Sequence, residues 1–309
     1  MHRVVFVLAF LQAVFIVASI WLLHSTPLLT LGLCRGATRV TASATLAIAS
    51  AAPLPARWGS VDFAPVPRYF MNTHDPVTED IFISGSVHAG LQPWDPYVWD
   101  LFVRILRPRG GLVVDVGANL GYFSLMAAAM GCQVVAFEPM ERNLARFLAS
   151  IARNDGFAAR ITVYQNAVAH HSGRVVALRP TQASTNFGNG QIVGVAQDSD
   201  AYVQTVRLDD VLSPTQTVEL LKLDVEGFEL SALDGARSLL CSGAVRHIVL
   251  EWSEATRDNP DCPSREGLRR MAAIGYTLSD IVPDAPSLSP DTPALPPNLL
   301  LTLRQPSCQ

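Results

Sequence analysis

The chain has 309 residues, room for one large domain or two small ones, and a formal charge of -4 that supplies no basic surface for nucleic acid. Its five cysteines, Cys34, Cys132, Cys241, Cys262 and Cys308, include no C-x-x-C pair, which argues against a zinc site, and so odd and sparse a set in a chain this long is not a disulfide scaffold. Cys132 and Cys241 sit in core-like contexts and read as plain thiols.

Much of the apolar excess lies in the first fifty residues. Val4 to Leu23 is an apolar run broken only by Gln12, Ser19 and small residues. About 20 helical residues span about 30 Å, the thickness of a bilayer core. A cleaved signal has a shorter apolar region followed closely by a small-x-small site. Here the nearest such site, Ala42-Ser43-Ala44, lies well past the run. The run therefore reads as an uncleaved signal anchor, giving a single-pass membrane protein. Arg3 argues for a cytosolic N-terminus, while Arg35 and Arg39 beyond the run weaken the contrast. The expected division is 1–24 as transmembrane signal anchor, 25–60 as an Ala/Ser/Thr-rich stem or linker, and 61–309 as the folded domain.

Within that domain Ile81 to Gly85 reads as a leading strand, and Pro93 to Tyr97 as an aromatic turn. Tyr97 to Leu106 has apolar residues at helical spacing and ends before Pro108. From Gly111 strand and helix alternate, the pattern of a parallel α/β sheet. Leu112 to Val116 is a buried strand, Gly117 to Gly121 a tight glycine turn, and Tyr122 to Ala129 a helix. Strands follow at Gln133 to Phe137 and Ile161 to Gln165, with a helix over Glu141 to Arg153 between them. Arg174 to Leu178 and Tyr202 to Arg207 read as short strands around a polar excursion, Thr181 to Ser199, in which Ser184 to Gly190 suits a lid or a surface loop equally. Strands at Glu219 to Leu223 and Val245 to Trp252 flank one helix, Leu230 to Leu240, and Arg265 to Ile274 forms another. Tyr276 to Ile281 and Leu299 to Leu303 read as a closing antiparallel pair joined by a proline-rich loop, Pro283 to Pro297.

In an open α/β sheet, ligands sit beyond the carboxyl ends of the strands. Each strand here is apolar until its end and then turns polar. The first ends in Asp115 and the turn Gly117-Ala118-Asn119-Leu120-Gly121. Glycine lets a backbone turn sharply and approach a ligand without a Cβ in the way. The spacing is neither the G-x-G-x-x-G of dinucleotide binders nor a phosphate loop, since Tyr122 follows Gly121. It suits a ligand with a positive centre and few phosphates. The second strand ends in Glu138, placed to accept ribose hydroxyls, and the third in Gln165-Asn166-Ala167, placed to touch a base. The fourth ends Asp224-Val225-Glu226-Gly227 and the fifth Glu251-Trp252. Asp224 and Glu226 alternate along an extended segment and so face one side, where paired carboxylates can take a proton, bind a metal or hold a cationic amine. Adjacent His170 and His171 read as a solvated turn rather than metal ligands.

These residues resemble a family. Val113 to Ser124, with Asp115, Gly117, Asn119 and Gly121, is similar to the first motif of FkbM-type S-adenosylmethionine-dependent methyltransferases. Phe137-Glu138-Pro139 resembles their second motif. Leu208-Asp209-Asp210-Val211-Leu212 followed by Leu221 to Glu229 is similar to their L-D-D and L-K-I-D-V-E-G-x-E signature, and Val249-Leu250-Glu251 to a later strand. The resemblance runs from about Val77 to Leu303 and makes 61–309 an FkbM-like methyltransferase domain. It implies a class I, Rossmann-like fold with a seven-stranded, mostly parallel sheet whose last strand is antiparallel. It also implies S-adenosylmethionine as cofactor and methyl transfer, usually to a hydroxyl. The turn from Asp115 to Gly121 would hold the methionine end, Glu138 the ribose and Asn166 the adenine, with Asp224 and Glu226 as catalytic residues and no metal. The acceptor stays open among glycan, lipid and small metabolite. The rival readings are a NAD-dependent Rossmann oxidoreductase, which lacks its second glycine and a Tyr-x-x-x-Lys pair here, and a catalytically inactive, membrane-anchored binding protein. A luminal glycosyltransferase would share the anchor-and-stem layout, but its Asp-x-Asp motif has only Asp198-Ser199-Asp200 in a loop to answer it.

Overall fold

The computed structural model describes residues 39–40, 57–107, 110–180, 190–193, 201–253, 256 and 264–306. The expected membrane anchor, Val4 to Leu23, and most of the expected stem lie outside them. Among the described residues no helix is long and apolar enough to cross a membrane.

Fifteen strands are described in chain order: β1 Arg39–Val40, β2 Trp58–Val61, β3 Tyr69–Asn72, β4 Leu112–Val116, β5 Gln133–Phe137, β6 Ile161–Tyr164, β7 Ala167–Val168, β8 Val175–Pro180, β9 Gly190–Val193, β10 Ala201–Val206, β11 Val218–Leu223, β12 Val245–Glu251, β13 Tyr276–Asp280, β14 Ser287–Leu288 and β15 Asn298–Leu303. The main sheet runs β1-β6-β5-β4-β11-β12-β15-β13-β14. Its neighbours from β6 to β12 pair in parallel. β15 is antiparallel to both β12 and β13, so the last strand is inserted between two earlier ones. Seven strands, β6 to β13 in that order, form the frame expected from the sequence, and short β1 and β14 extend its edges.

The central strands can lie deep because they carry an apolar side chain at almost every position: β4 is buried throughout. The parallel pairs are joined by helical crossovers that cover both faces. On one face the helices α2 Pro96–Leu106, α3 Tyr122–Ala129 and α4 Glu141–Arg153 place Leu101, Phe102, Leu125, Met126, Leu144 and Phe147 against the sheet. On the other, α5 Glu229–Asp234, α6 Arg237–Cys241 and α7 Ser264–Ile274 contribute Leu230, Leu233, Leu239, Leu268 and Met271. A smaller sheet, β7-β10-β8-β9, packs Leu178 and Val203 against Met140, beside the second strand's carboxyl end.

Several expectations change. Ile81 to Gly85 is not a strand: α1 occupies Ile83–Ala89, because the Asp80 carboxylate accepts from the Phe82 and Ser84 N–H groups and supplies the first turn with its missing acceptors. The single helix over Leu230 to Leu240 is two, α5 and α6, broken at Gly235 and Ala236. A Cβ on Gly235 would run into the Ala169 carbonyl, so the chain comes too close there to continue a regular helix. Asp209 then caps the second helix, accepting from Ser238 N at 2.9 Å and Leu239 N at 3.0 Å. The polar excursion contains a strand, β9, paired with β8. Cys241 is disulfide-bonded rather than a plain thiol, whereas Cys132 is a buried free cysteine. The proline-rich loop is tied to α7, where Arg265 donates to the Pro290 and Thr292 carbonyls at 2.7 and 2.8 Å.

Candidate active site

The carboxyl ends of β4, β5, β6 and β11 meet in a cleft of about 670 Å3, the open solvent at its mouth included. Gly117, Asn119, Glu138, Asn166, Asp224 and Glu226 all line it. The smaller sheet closes one side with Leu178, Gly190 and Ile192.

Each residue is held there for a local reason. Gly117 has φ of 81°, and a Cβ on it would overlap the Asp224 carbonyl oxygen. Only glycine lets the β4 turn pass so close to the end of β11. Gly117 and Ala118 both donate to the Phe137 carbonyl, at 3.0 and 2.9 Å, and tie the turn to β5. Glu138 is buried, and its two oxygens accept from Asn119 N at 2.7 Å and Met140 N at 2.8 Å. Burial pushes its pKa up to about 7 against the pull of those hydrogen bonds. Asn166 is fully buried and donates to the Gln204 carbonyl at 3.0 Å, which docks β10 against the cleft.

Two of the expected cofactor residues stand behind the cleft. Asp115 is buried, accepts from Ser124 Oγ at 2.7 Å and lies 3.6 Å from Lys222 Nζ. Gly121, with φ of 82°, precedes α3 where a Cβ would strike the Phe147 ring. These two residues shape the turn and its electrostatics without facing the space. The stretch Asp224 to Glu226 is also not extended: Glu226 has φ of 54° in a turn, an uncommon conformation for a non-glycine residue. That turn is held by Glu229, whose carboxylate is fully buried and accepts from Val225 N at 2.9 Å, Gly227 N at 3.1 and 3.2 Å and Thr256 Oγ1 at 2.8 Å.

Three residues of the site carry no assignment in the sequence reading. Lys222, the only lysine in the chain, is buried with Nζ 3.1 Å from Asp224 and 3.6 Å from Asp115. Burial alone would lower its pKa, but the charges of Asp224 and Asp115 carry it above its ordinary value. A lone lysine in an otherwise apolar strand is a visible signal, because its charge needs a partner there. Glu251 ends β12 beside Asp224 and Glu226, and the three carboxylates each bring an oxygen within 4.8 Å of the others. Burial, then the charges of Asp224 and Glu226, drives the Glu251 pKa well above the ordinary carboxylate value. The same three groups form a donor set for a divalent cation. Glu229 is the third, acting through the turn it holds.

The cleft suits a cofactor that is cationic and free of phosphate. Its charged lining residues are Glu138, Asp224 and Glu226, and no lysine or arginine joins them among the described residues. Asn119 Oδ1 is buried without a hydrogen-bond partner, an acceptor suited to an amine. A pyrophosphate would meet three carboxylates and, among the described residues, no cation.

Strand order and strand-end site together define a class I methyltransferase-type domain. The sequence model of the methyltransferase FkbM domain matches residues 115–276, more than half of the chain, and the protein belongs to that family. Among solved structures, the methyltransferase FkbM from Methylobacillus flagellatus KT is similar at 21% identity over 62% of this chain and 43% of its own, with a TM-score of 0.40. The precorrin-6y C5,15-methyltransferase from Geobacter metallireducens GS-15 is similar at 14% identity over 70% of this chain and 90% of its own, with a TM-score of 0.36. The N-terminal domain of human METTL16, in complex with SAH, is similar at 13% identity over 68% and 70% of the two chains, again with a TM-score of 0.36. The chain spans less than half the length of the Methylobacillus protein. No curated protein matches the sequence.

Proposed function

We propose that this protein transfers a methyl group from S-adenosylmethionine to a hydroxyl oxygen of a glycan, lipid or small-molecule acceptor. The observation that carries the reading is the composition of the cleft: among the described residues it offers three carboxylates, an unpartnered Asn119 oxygen and no cation, at the carboxyl ends of four adjacent strands. When bound, S-adenosylmethionine supplies a methyl group on a cationic sulfur, whose C–S bond breaks with its electron pair left on sulfur as the acceptor oxygen takes the carbon.

The residues have separate tasks. Asn119 Oδ1 and the backbone of the Gly117 turn receive the amino-acid end. Glu138 accepts the ribose hydroxyls, and Asn166 with its neighbours borders the base. Asp224 and Glu226 stand where positive charge must be held, and Asp224 takes the proton of the attacking hydroxyl. Lys222 fixes the Asp224 carboxylate by their 3.1 Å contact. Alignment of the acceptor with the transferred carbon supplies much of the rate in such displacements.

Titration of S-adenosylhomocysteine, and separately of NAD, into the full-length protein tests the cofactor. Binding of the first, lost on Glu138→Ala, supports the reading, whereas binding of NAD in its place overturns it. For the catalytic roles, Asp224→Ala is expected to lower turnover about 10²-fold or more. Wild-type turnover and cofactor affinity in both Asp224→Ala and Glu226→Ala would sink the assignment.

We also place the domain in an oxidising compartment, held by the N-terminal anchor. The Cys241 disulfide supports this, because such bonds are rare in reducing cytosol. Labelling thiols in intact cells, before and after reduction, tests it: Cys241 reactive before reduction points to the cytosol.

A further inference from the structure

A second pocket of about 490 Å3, the open solvent at its mouth included, lies beside the cofactor cleft, and Asp224 lines both. Its floor is Phe123, Lys222, Asp224 and Glu251, from the segment that the family match covers. Its walls are Trp94, Asp95 and Asn298, which lie outside that match. The walls are firmly placed. Trp94 N donates to Tyr122 Oη at 3.0 Å, and the Trp94 ring packs edge-on against Phe82 with centroids 5.7 Å apart. Asp95, at φ of 41°, accepts from Val98 N at 3.2 Å and so caps α2. Asn298 is the register partner of Glu251 across β15 and β12.

We propose that this cavity is the acceptor subsite and that it selects a neutral, hydroxyl-rich ring such as a sugar or a cyclic polyol. The inference rests on the methyl-transfer reading given above. Among the described residues, three carboxyl groups, Asp95, Asp224 and Glu251, line the space with one cation, Lys222, and Lys222 is already committed to Asp224 and Asp115. A phosphate or carboxylate on the acceptor would therefore meet net negative charge with no free cation. A primary amine would be drawn in, but neighbouring carboxylates hold an amine protonated, and an ammonium has no lone pair with which to take a methyl group. A hydroxyl avoids both problems. It donates to Asp95 or Asp224, accepts from the Asn298 amide, and surrenders its proton to Asp224 as the new C–O bond forms. The Trp94 ring offers an apolar surface to the C–H face of a ring. The protein's specificity is thus written in Trp94, Asp95 and Asn298, while the floor serves the chemistry.

The test uses full-length protein, isotope-labelled S-adenosylmethionine and four sets of probes: neutral methyl hexopyranosides and inositols, hexose 6-phosphates, uronic acids, and hexosamines. Methylation of at least one neutral probe, at a kcat/KM about tenfold or more above its charged counterparts, is the expected result. Asp95→Asn keeps a capping side chain, so α2 stays intact. It and Asn298→Ala are each expected to raise the acceptor KM about tenfold, the effect of one lost polar contact, without changing the affinity for S-adenosylhomocysteine. Asp95→Lys is expected to move the preference toward uronic acids. Faster turnover of amines or anions by the wild type, or no turnover of any neutral probe by protein that binds S-adenosylhomocysteine, overturns the subsite. An unchanged acceptor KM in both wall variants overturns it as well. Failure to bind S-adenosylhomocysteine is a different result, because it removes the methyl-transfer reading itself.

Discussion

Glu138 links burial, charge and affinity in one side chain. Its pKa of about 7 lies above the ordinary value of 4.5, so folding favours its protonated form. The stability this contributes is complete below about 4.5 and is lost as pH rises through about 7. Ribose hydroxyls, as donors, favour the ionised form instead. Affinity for S-adenosylhomocysteine is therefore expected to strengthen about tenfold between pH 6 and pH 8, as the ionised fraction rises. Calorimetric titration across that range checks it, and a pH-independent affinity in the wild type refutes it. Gly117→Ala is the complementary prediction. It forces a side chain into a left-handed conformation, at a cost of about 1–2 kcal/mol, and sets a methyl group against the Asp224 carbonyl. A lower Tm together with lost S-adenosylhomocysteine binding is expected, and wild-type binding would show that β4 and β11 can part without harm. At Asp224, Glu226 and Glu251 the Lys222 ammonium, 3.1 Å from Asp224, already relieves part of the repulsion that a metal cation would otherwise relieve. Turnover is accordingly expected to survive EDTA unchanged. Loss of activity that magnesium restores would make this cluster a metal site.

At the scale of elements, the sequence reads well where hydrophobic periodicity is strong and poorly where tertiary contacts decide. The strand Gln133–Phe137 and the helices Tyr122–Ala129 and Glu141–Arg153 have their expected bounds, because uninterrupted apolar runs and a one-sided apolar face are local signals. The strand ends that build the cleft were legible for the same reason. The break at Gly235 was not, since it depends on the Ala169 carbonyl far away in the chain. Nor was the orientation of Asp115, which meets Lys222 across two paired strands rather than the cleft. Asp209 shows how a motif residue can be structural: it spans from the 3-10 turn after β10 to the start of α6 and satisfies two backbone N–H groups. Asp209→Ala is expected to destabilise the fold by about 1–2 kcal/mol, with little effect on S-adenosylhomocysteine affinity. Thermal unfolding with and without the ligand separates the two effects, and an unchanged Tm would remove Asp209 as a cap.

Across the whole molecule, the last strand closes the fold from inside. β15 hydrogen-bonds to β12 on one side and to β13 on the other, and its Leu299 and Leu301 are fully buried. The chain reaches it only after the proline-rich loop, which Arg265 and Arg269 anchor to α7 through the Pro290 and Thr292 carbonyls and Asp291. β13 is therefore placed in the sheet only when β15 arrives, although it precedes β15 in the sequence. This couples the far end of the chain to the site, because Asn298 begins β15 opposite Glu251. Truncation after Ile281 would leave β12 as an open, apolar edge, the kind of edge that recruits other chains. It would also remove one wall of the second cavity. Such a truncated protein is expected to bind a hydrophobic dye and to aggregate, as read by light scattering. Adding back the missing segment as a separate peptide is expected to suppress both. A truncated protein that stays monomeric and binds S-adenosylhomocysteine normally would show that the five parallel strands fold by themselves and that β15 serves only the acceptor side.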